Sequence, residues 1–309
     1  MIKAITSITA NYIFHMLSVG KCGYDNEYGK YLRNYHDEKD ILILEELKDY
    51  ITVSGGDYFG QLYWVCVCVP ASIDKAEDMI EYFIAVIDLF INERLHENYK
   101  EYSLLYGRVF SKFGLDNNIQ TFEEFYIKNL KFKEEIIQIF KVYLSNYKIY
   151  KNSFWKEFSI TISSACEEIN KIFRNNNYEK MWEEKLNIKH KYENFNVVLC
   201  NSIENGPQAI DISNGKDVFF ISDNSLDIVN FISHEFGIYL LKEILSETPA
   251  FKNFSYYKET ESLAEFFNQK ICGESIFYES YDNYIEKYKK LYDENPKISA
   301  KELFLEIIS

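Results

Sequence analysis

Proline and glycine are scarce in this chain, at 4 Pro and 12 Gly among 309 residues. So few breakers favour long uninterrupted elements, helices above all. None of the six cysteines, at 22, 66, 68, 166, 200 and 272, forms a Cys-x-x-Cys pair. The redox and structural-zinc motifs built on that pair are therefore absent. Free buried thiols in a reducing compartment are the expectation. Long apolar runs are missing too. The longest, Leu62 to Ala71, falls far short of the roughly 20 residues that span a bilayer. At the N-terminus Lys3 is the only early charge, and Asn11 and His15 interrupt the apolar stretch, which is not the pattern of a signal peptide. A cytoplasmic protein without membrane association is expected. Gly20 to Gly23 and Gly55-Gly56 are too sparse to cradle a phosphate, and no cofactor box or Ser-His-Asp pattern is present. Basic residues are outnumbered, 34 Lys and Arg against 48 Asp and Glu, for a net charge of −14. Such a chain repels phosphate backbones, which argues against nucleic acid as a partner.

What the chain has in abundance is aromatic side chains: 26 Tyr, 24 Phe and 3 Trp. With 47% hydrophobic residues, it can bury a large core. Its usage of Lys, Asn, Ile and Tyr points to an AT-rich bacterial coding source. Residues 38–52 place Ile41, Leu44, Leu47 and Ile51 at helical spacing. Ser54-Gly55-Gly56-Asp57 reads as a break. Residues 58–69 fit either a strand, with Cys66 and Cys68 on one face, or a buried helix, ended by Pro70 to Ser72. Helices are expected over 74–96, with Met79, Ile80, Phe83, Ile84, Ile87, Phe90 and Ile91 on one broad face, and over 121–148 and 153–174. Asn175-Asn176-Asn177 is the best boundary signal. It suggests a mainly helical region of unknown role, 1–180, and a separate domain, 190–309.

After residue 190 the texture changes. Short strands are expected at 196–200, 208–212 and 217–221, with a hairpin signal at Asn214-Gly215. Ser222 to Ser225 offer N-caps, and Asp227 suits the first turn of a helix over 225–246. A further helix is expected over 258–271. The fold class read from these elements is α+β, predominantly helical.

The helix at 225–246 carries His234-Glu235-Phe236-Gly237-Ile238-Tyr239-Leu240. A zinc peptidase needs two imidazoles four residues apart, on one helical face, with a Glu beside the first. Here the fourth position on is Ile238, which cannot ligate. Residues 261–267 read Glu-Ser-Leu-Ala-Glu-Phe-Phe. Together with the preceding strand, taken as the edge strand of a cleft, these segments resemble a gluzincin-type zinc peptidase domain over about residues 190–275. The resemblance implies His234 as first metal ligand, Glu235 as general base, Glu261 as third ligand and Glu265 as a supporting acid. The second histidine has no counterpart. It further implies a small antiparallel sheet in the C-terminal domain, a peptidase fold with impaired or absent hydrolysis, no bound cofactor (zinc only if active), and a peptide or protein segment as partner. Two alternatives stay open: an active metallopeptidase with a substitute ligand, and a helical interaction protein in which the His-Glu match is accidental. The remaining histidines, 15, 36, 96 and 190, are isolated in sequence and expected as surface or cap residues, with His190 the nearest possible surrogate ligand. Oligomeric state is not readable.

Overall fold

The computed structural model describes residues 1–52, 61–92, 122–191, 193–204, 206–211, 214–222, 224–246, 248, 256–273 and 282–309. Ser54 to Asp57 and His96 lie outside them. Helices dominate, as composition requires. They are α1 (Ile8–Val19), α2 (Glu27–Leu32), α3 (Glu38–Glu46), α4 (Lys48–Ile51), α5 (Val69–Ser72), α6 (Ala76–Asn92), α7 (Phe122–Asn129), α8 (Lys133–Tyr150), α9 (Lys156–Asn176), α10 (Tyr178–Leu186), α11 (Ser225–Leu245), α12 (Tyr257–Cys272), α13 (Asp282–Glu294) and α14 (Ala300–Ile308). No helix among the described residues is long and apolar enough to cross a membrane.

Among the described residues four strands, β1 (Ile2–Ile5), β2 (Phe195–Cys200), β3 (Gln208–Asp211) and β4 (Lys216–Phe220), form one sheet in the order β1-β2-β4-β3. The sheet is mixed. β2 and β4 run parallel, with Asn196 opposite Lys216 and Cys200 opposite Phe220. β3 and β4 form the hairpin expected at Asn214-Gly215, antiparallel, with an irregularity between Ala209 and Asp211. Gly215 takes φ +59° there, a left-handed backbone that glycine adopts without strain. The expected edge strand is therefore interior: β4 is flanked on both sides, and β1 and β3 form the edges.

The chain divides into two compact units, each discontinuous in sequence: residues 1–3, 167–195 and 222–309, and residues 4–166 and 196–221. The Asn cluster at 175–177 falls inside the first. There α9 ends, and Asn177 turns the chain in a left-handed conformation, φ 51°, into α10. The larger unit is built around α1, which is buried from Thr9 to Val19. Ser7 caps its start by accepting from the Ala10 amide, and Asn11 donates to Leu199 O of β2 at 2.9 Å. Phe83 on α6 and Phe140 and Tyr143 on α8 are fully buried and meet ring to ring. The aromatic stripes are core, as their spacing indicates. Ile84 and Ile91, expected on the same face of α6, stand about half exposed instead, while Tyr82 and Val86 are buried.

Residues 63–72 resolve the ambiguity of the apolar run as helix. Trp64–Cys68 form a π turn that leads into α5. The helix ends within the expected Pro70–Ser72 segment, at Ser72, with Pro70 inside its last turn. In a regular α-helix the Pro70 ring would meet the carbonyl of Cys66, and a widened π turn moves that carbonyl away. Ser72 Oγ lies 2.7 Å from Cys68 O and 2.8 Å from Ile210 O, two acceptors for its one hydrogen. None of the six cysteines is in a disulfide, and five are buried.

Candidate metal centre

The motif helix α11 starts at an Asn224 side chain that accepts from the Leu226 amide, with Asp227 in the first turn. It is buried around most of its circumference, which marks an interior helix rather than a surface one. Two neighbouring faces do different work. Ser233 and Gly237, four residues apart, seat Trp182 of α10. The indole Nε1 donates to Ser233 Oγ at 2.9 Å. A Cβ on Gly237 would lie 2.3 Å from the indole ring, so the ring needs a glycine beneath it. His234 and Ile238 face α12.

On α12, Glu261 and Glu265 are also four residues apart and share one face. His234 sits between them. Its Nε2 donates to Glu261 Oε2 at 3.0 Å, and its Nδ1 lies 3.4 Å from Glu265 Oε2. His234 and Glu265 are fully buried, and Glu261 is 9% exposed. Gln269 Nε2 holds the other oxygen of Glu265 at 3.1 Å. Asn268 Nδ2 donates to Asn230 O, a second tie between α12 and α11. Burial by itself disfavours a charged imidazole. The hydrogen bonds to Glu261 and Glu265 and the charges of Glu261 and Glu235 outweigh it, and the His234 pKa is pushed up to about 9. His234 is thus an imidazolium at neutral pH.

Ligand atoms of His234, Glu235 and Glu261 lie within 4.8 Å of one another. The three residues singled out in the sequence therefore converge, and Glu265 joins them from behind the imidazole. Ile238 is 2% exposed and contributes only packing. The donor set is one nitrogen and carboxylate oxygens. A catalytic zinc of this class takes two imidazoles and one carboxylate. These residues do not fit it: position 238, where a second imidazole would be needed, holds a buried aliphatic, and the imidazole present lies between carboxylates. Among the described residues no other histidine joins the cluster. His190 is engaged by Glu179, and its backbone amide donates to Glu183. His15 and His36, expected at the surface, are buried and bonded to each other in the other unit.

Sequence reasoning missed Trp182 and the role of Gly237. The available signal was a glycine inside an otherwise apolar helix, which costs about 1 kcal/mol against alanine and usually has a packing reason. Neither family models nor curated proteins nor solved structures yield a match to this chain.

Proposed function

We propose that residues of α11 and α12 are the remnant of a zinc-peptidase centre that binds a peptide or protein segment without cutting it. The observation that supports this most is the convergence of His234, Glu235 and Glu261 with Ile238 buried where the second imidazole would stand. Three acidic side chains, Glu235, Glu261 and Glu265, surround one basic one, an acidic balance of charge. A cationic group on the partner suits that charge, as it suits the chain's overall −14.

Metal content and rescue test the reading. Native protein and Ile238→His are purified and their zinc measured by elemental analysis. The native protein is expected to carry well under one equivalent and to hydrolyse no peptide. The variant should gain zinc, since a third first-sphere ligand is restored. Stoichiometric zinc in the native protein would sink the proposal. So would hydrolysis abolished by a chelator and by Glu235→Gln, which would select an active enzyme with a substitute ligand.

A further inference from the structure

The larger unit contains a buried polar chain unrelated to the centre at His234. His15, in the middle of α1, is fully buried. Its Nδ1 lies 2.8 Å from the Tyr28 hydroxyl on α2, and its Nε2 lies 2.9 Å from Nε2 of His36. His36, 8% exposed, places Nδ1 2.8 Å from Asn146 Oδ1 on α8. Asn146 Nδ2 donates to Asp40 Oδ2 on α3 at 2.7 Å and to Val142 O at 2.8 Å. Ser145 Oγ also donates to Asp40 Oδ2, at 2.7 Å. One chain of contacts thus joins four helices and the turn that follows α2.

The protons in this chain can be placed by elimination. The Asn146 amide nitrogen faces two acceptors, so its oxygen faces His36. That oxygen only accepts, so His36 Nδ1 carries a hydrogen. Neutral His36 then has a bare Nε2, which accepts from Nε2–H of His15. The bare Nδ1 of His15 accepts from the Tyr28 hydroxyl. Every bond runs in one direction, from Tyr28 to Asp40. A proton added at His36 Nε2 would meet the hydrogen on His15. It is accommodated only if His15 moves its own proton to Nδ1, which in turn evicts the Tyr28 hydroxyl proton from its acceptor.

We propose that this chain is an acid-sensitive latch, which locks α1 to α2, α3 and α8 when both imidazoles are neutral and loosens them when the pair takes up a proton. The surroundings favour the neutral state. His15 packs against the rings of Tyr28, Tyr150 and Phe154, and His36 against Phe154. Among the described residues Asp40 on α3 is the carboxylate bonded into the chain, at its far end. On α2, Lys30 pairs with Glu27. Arg33, just after α2, donates to Val19 O at the end of α1. Among the described residues, the titratable groups near the chain include Tyr28 on α2, Tyr12 on α1, Tyr143, Tyr147 and Tyr150 on α8 and the Cys200 thiol on β2, and burial raises the pKa of each. Burial, then the neighbouring His36, holds the His15 pKa well below the usual imidazole value. Burial lowers His36 as well, with its Asn146 bond and Asp40 offsetting part of that. Both groups bind protons less readily folded than unfolded. The stability they contribute is complete above the ordinary imidazole pKa of about 6.5 and drains away as pH falls below it.

The test is nitrogen-detected NMR of the imidazoles in the full native chain, titrated from pH 8 to 5. At pH 8 we expect His15 protonated on Nε2 and His36 on Nδ1, both neutral. On acidification the His15 proton should move to Nδ1 in step with charging of His36, while the thermal midpoint drops by several degrees. His36→Gln should lose the His36 share of that acid-dependent drop and leave the share of buried His15, whose Nε2–H then lacks its imidazole acceptor. Identical tautomers at pH 8, independent titration near 6.5, or a midpoint insensitive to acid would each overturn the proposal. If His36→Gln does not fold, the native spectra still decide.

Discussion

At position 238 a branched aliphatic stands one helical turn from His234, and its burial leaves the imidazole with carboxylates as its charged neighbours. That arrangement has a pH consequence of definite sign. The folded pKa of His234, about 9, lies above the unfolded value near 6.5. The ion pair's contribution is therefore full below about pH 6.5 and is lost as pH rises through about 9. Its size is on the order of 3 kcal/mol, at ~1.4 kcal/mol for each tenfold gain in proton affinity. Denaturant titrations at pH 7 and pH 10 should show a loss of that order in the native protein and a smaller one in His234→Gln. The neighbouring Gly237 is a second local constraint. A methyl group there meets the Trp182 ring, so Gly237→Ala should destabilise by roughly 1–3 kcal/mol through overpacking, despite alanine's better helix propensity. A variant as stable as the native protein in thermal melts would show that the ring can shift at no cost.

Specific devices join helices in the smaller unit. Trp182 carries α10 onto α11 through its bond to Ser233 and its seat on Gly237, and its ring also meets Phe267 of α12. Trp182→Ala should cost about 3–5 kcal/mol, the usual range for a large buried aromatic, with loss of near-UV ellipticity as the readout. The terminal helix α14 starts with a reciprocal capping box. Ser299 Oγ accepts from the Glu302 amide at 3.2 Å, and the Glu302 carboxylate accepts from the Ser299 amide at 2.8 Å. Ser299→Ala should lower stability by about 1 kcal/mol, measurable in urea. Amide exchange in α14 should rise in that variant while exchange in α11 stays unchanged.

For the whole molecule, the decisive feature is that both units are assembled from separated segments. A fragment of residues 190–309, which composition suggests as a domain, lacks Trp182 and Glu179. It also carries residues 196–221 without the helices of their own unit. Expressed alone it should be largely unfolded, with a broad, non-cooperative melt; a sharp transition would show that it folds by itself. Much of the secondary structure is legible in the sequence. The helix around the motif, the helix with Glu261 and Glu265, and the 214–215 hairpin follow from periodicity and turn chemistry. The continuous helix expected over 121–148 does not hold: a short tightened turn at Leu130–Phe132 divides it into α7 and α8. Local spacing cannot report such a change, because apolar residues on both sides keep the same period.

From the residues themselves came the helical bias, the acidic net charge, the free cysteines and the i, i+4 pairing of Glu261 with Glu265, all of which depend on composition or short-range spacing. Only the folded chain decided that His234 lies between those two acids, that His15 meets His36 across 21 positions, and that β4 is interior and parallel to β2. The reason is range. Propensity and periodicity act over a few residues, whereas which buried polar groups satisfy one another is settled by the packing of segments far apart in sequence, where an unpaired group is costly.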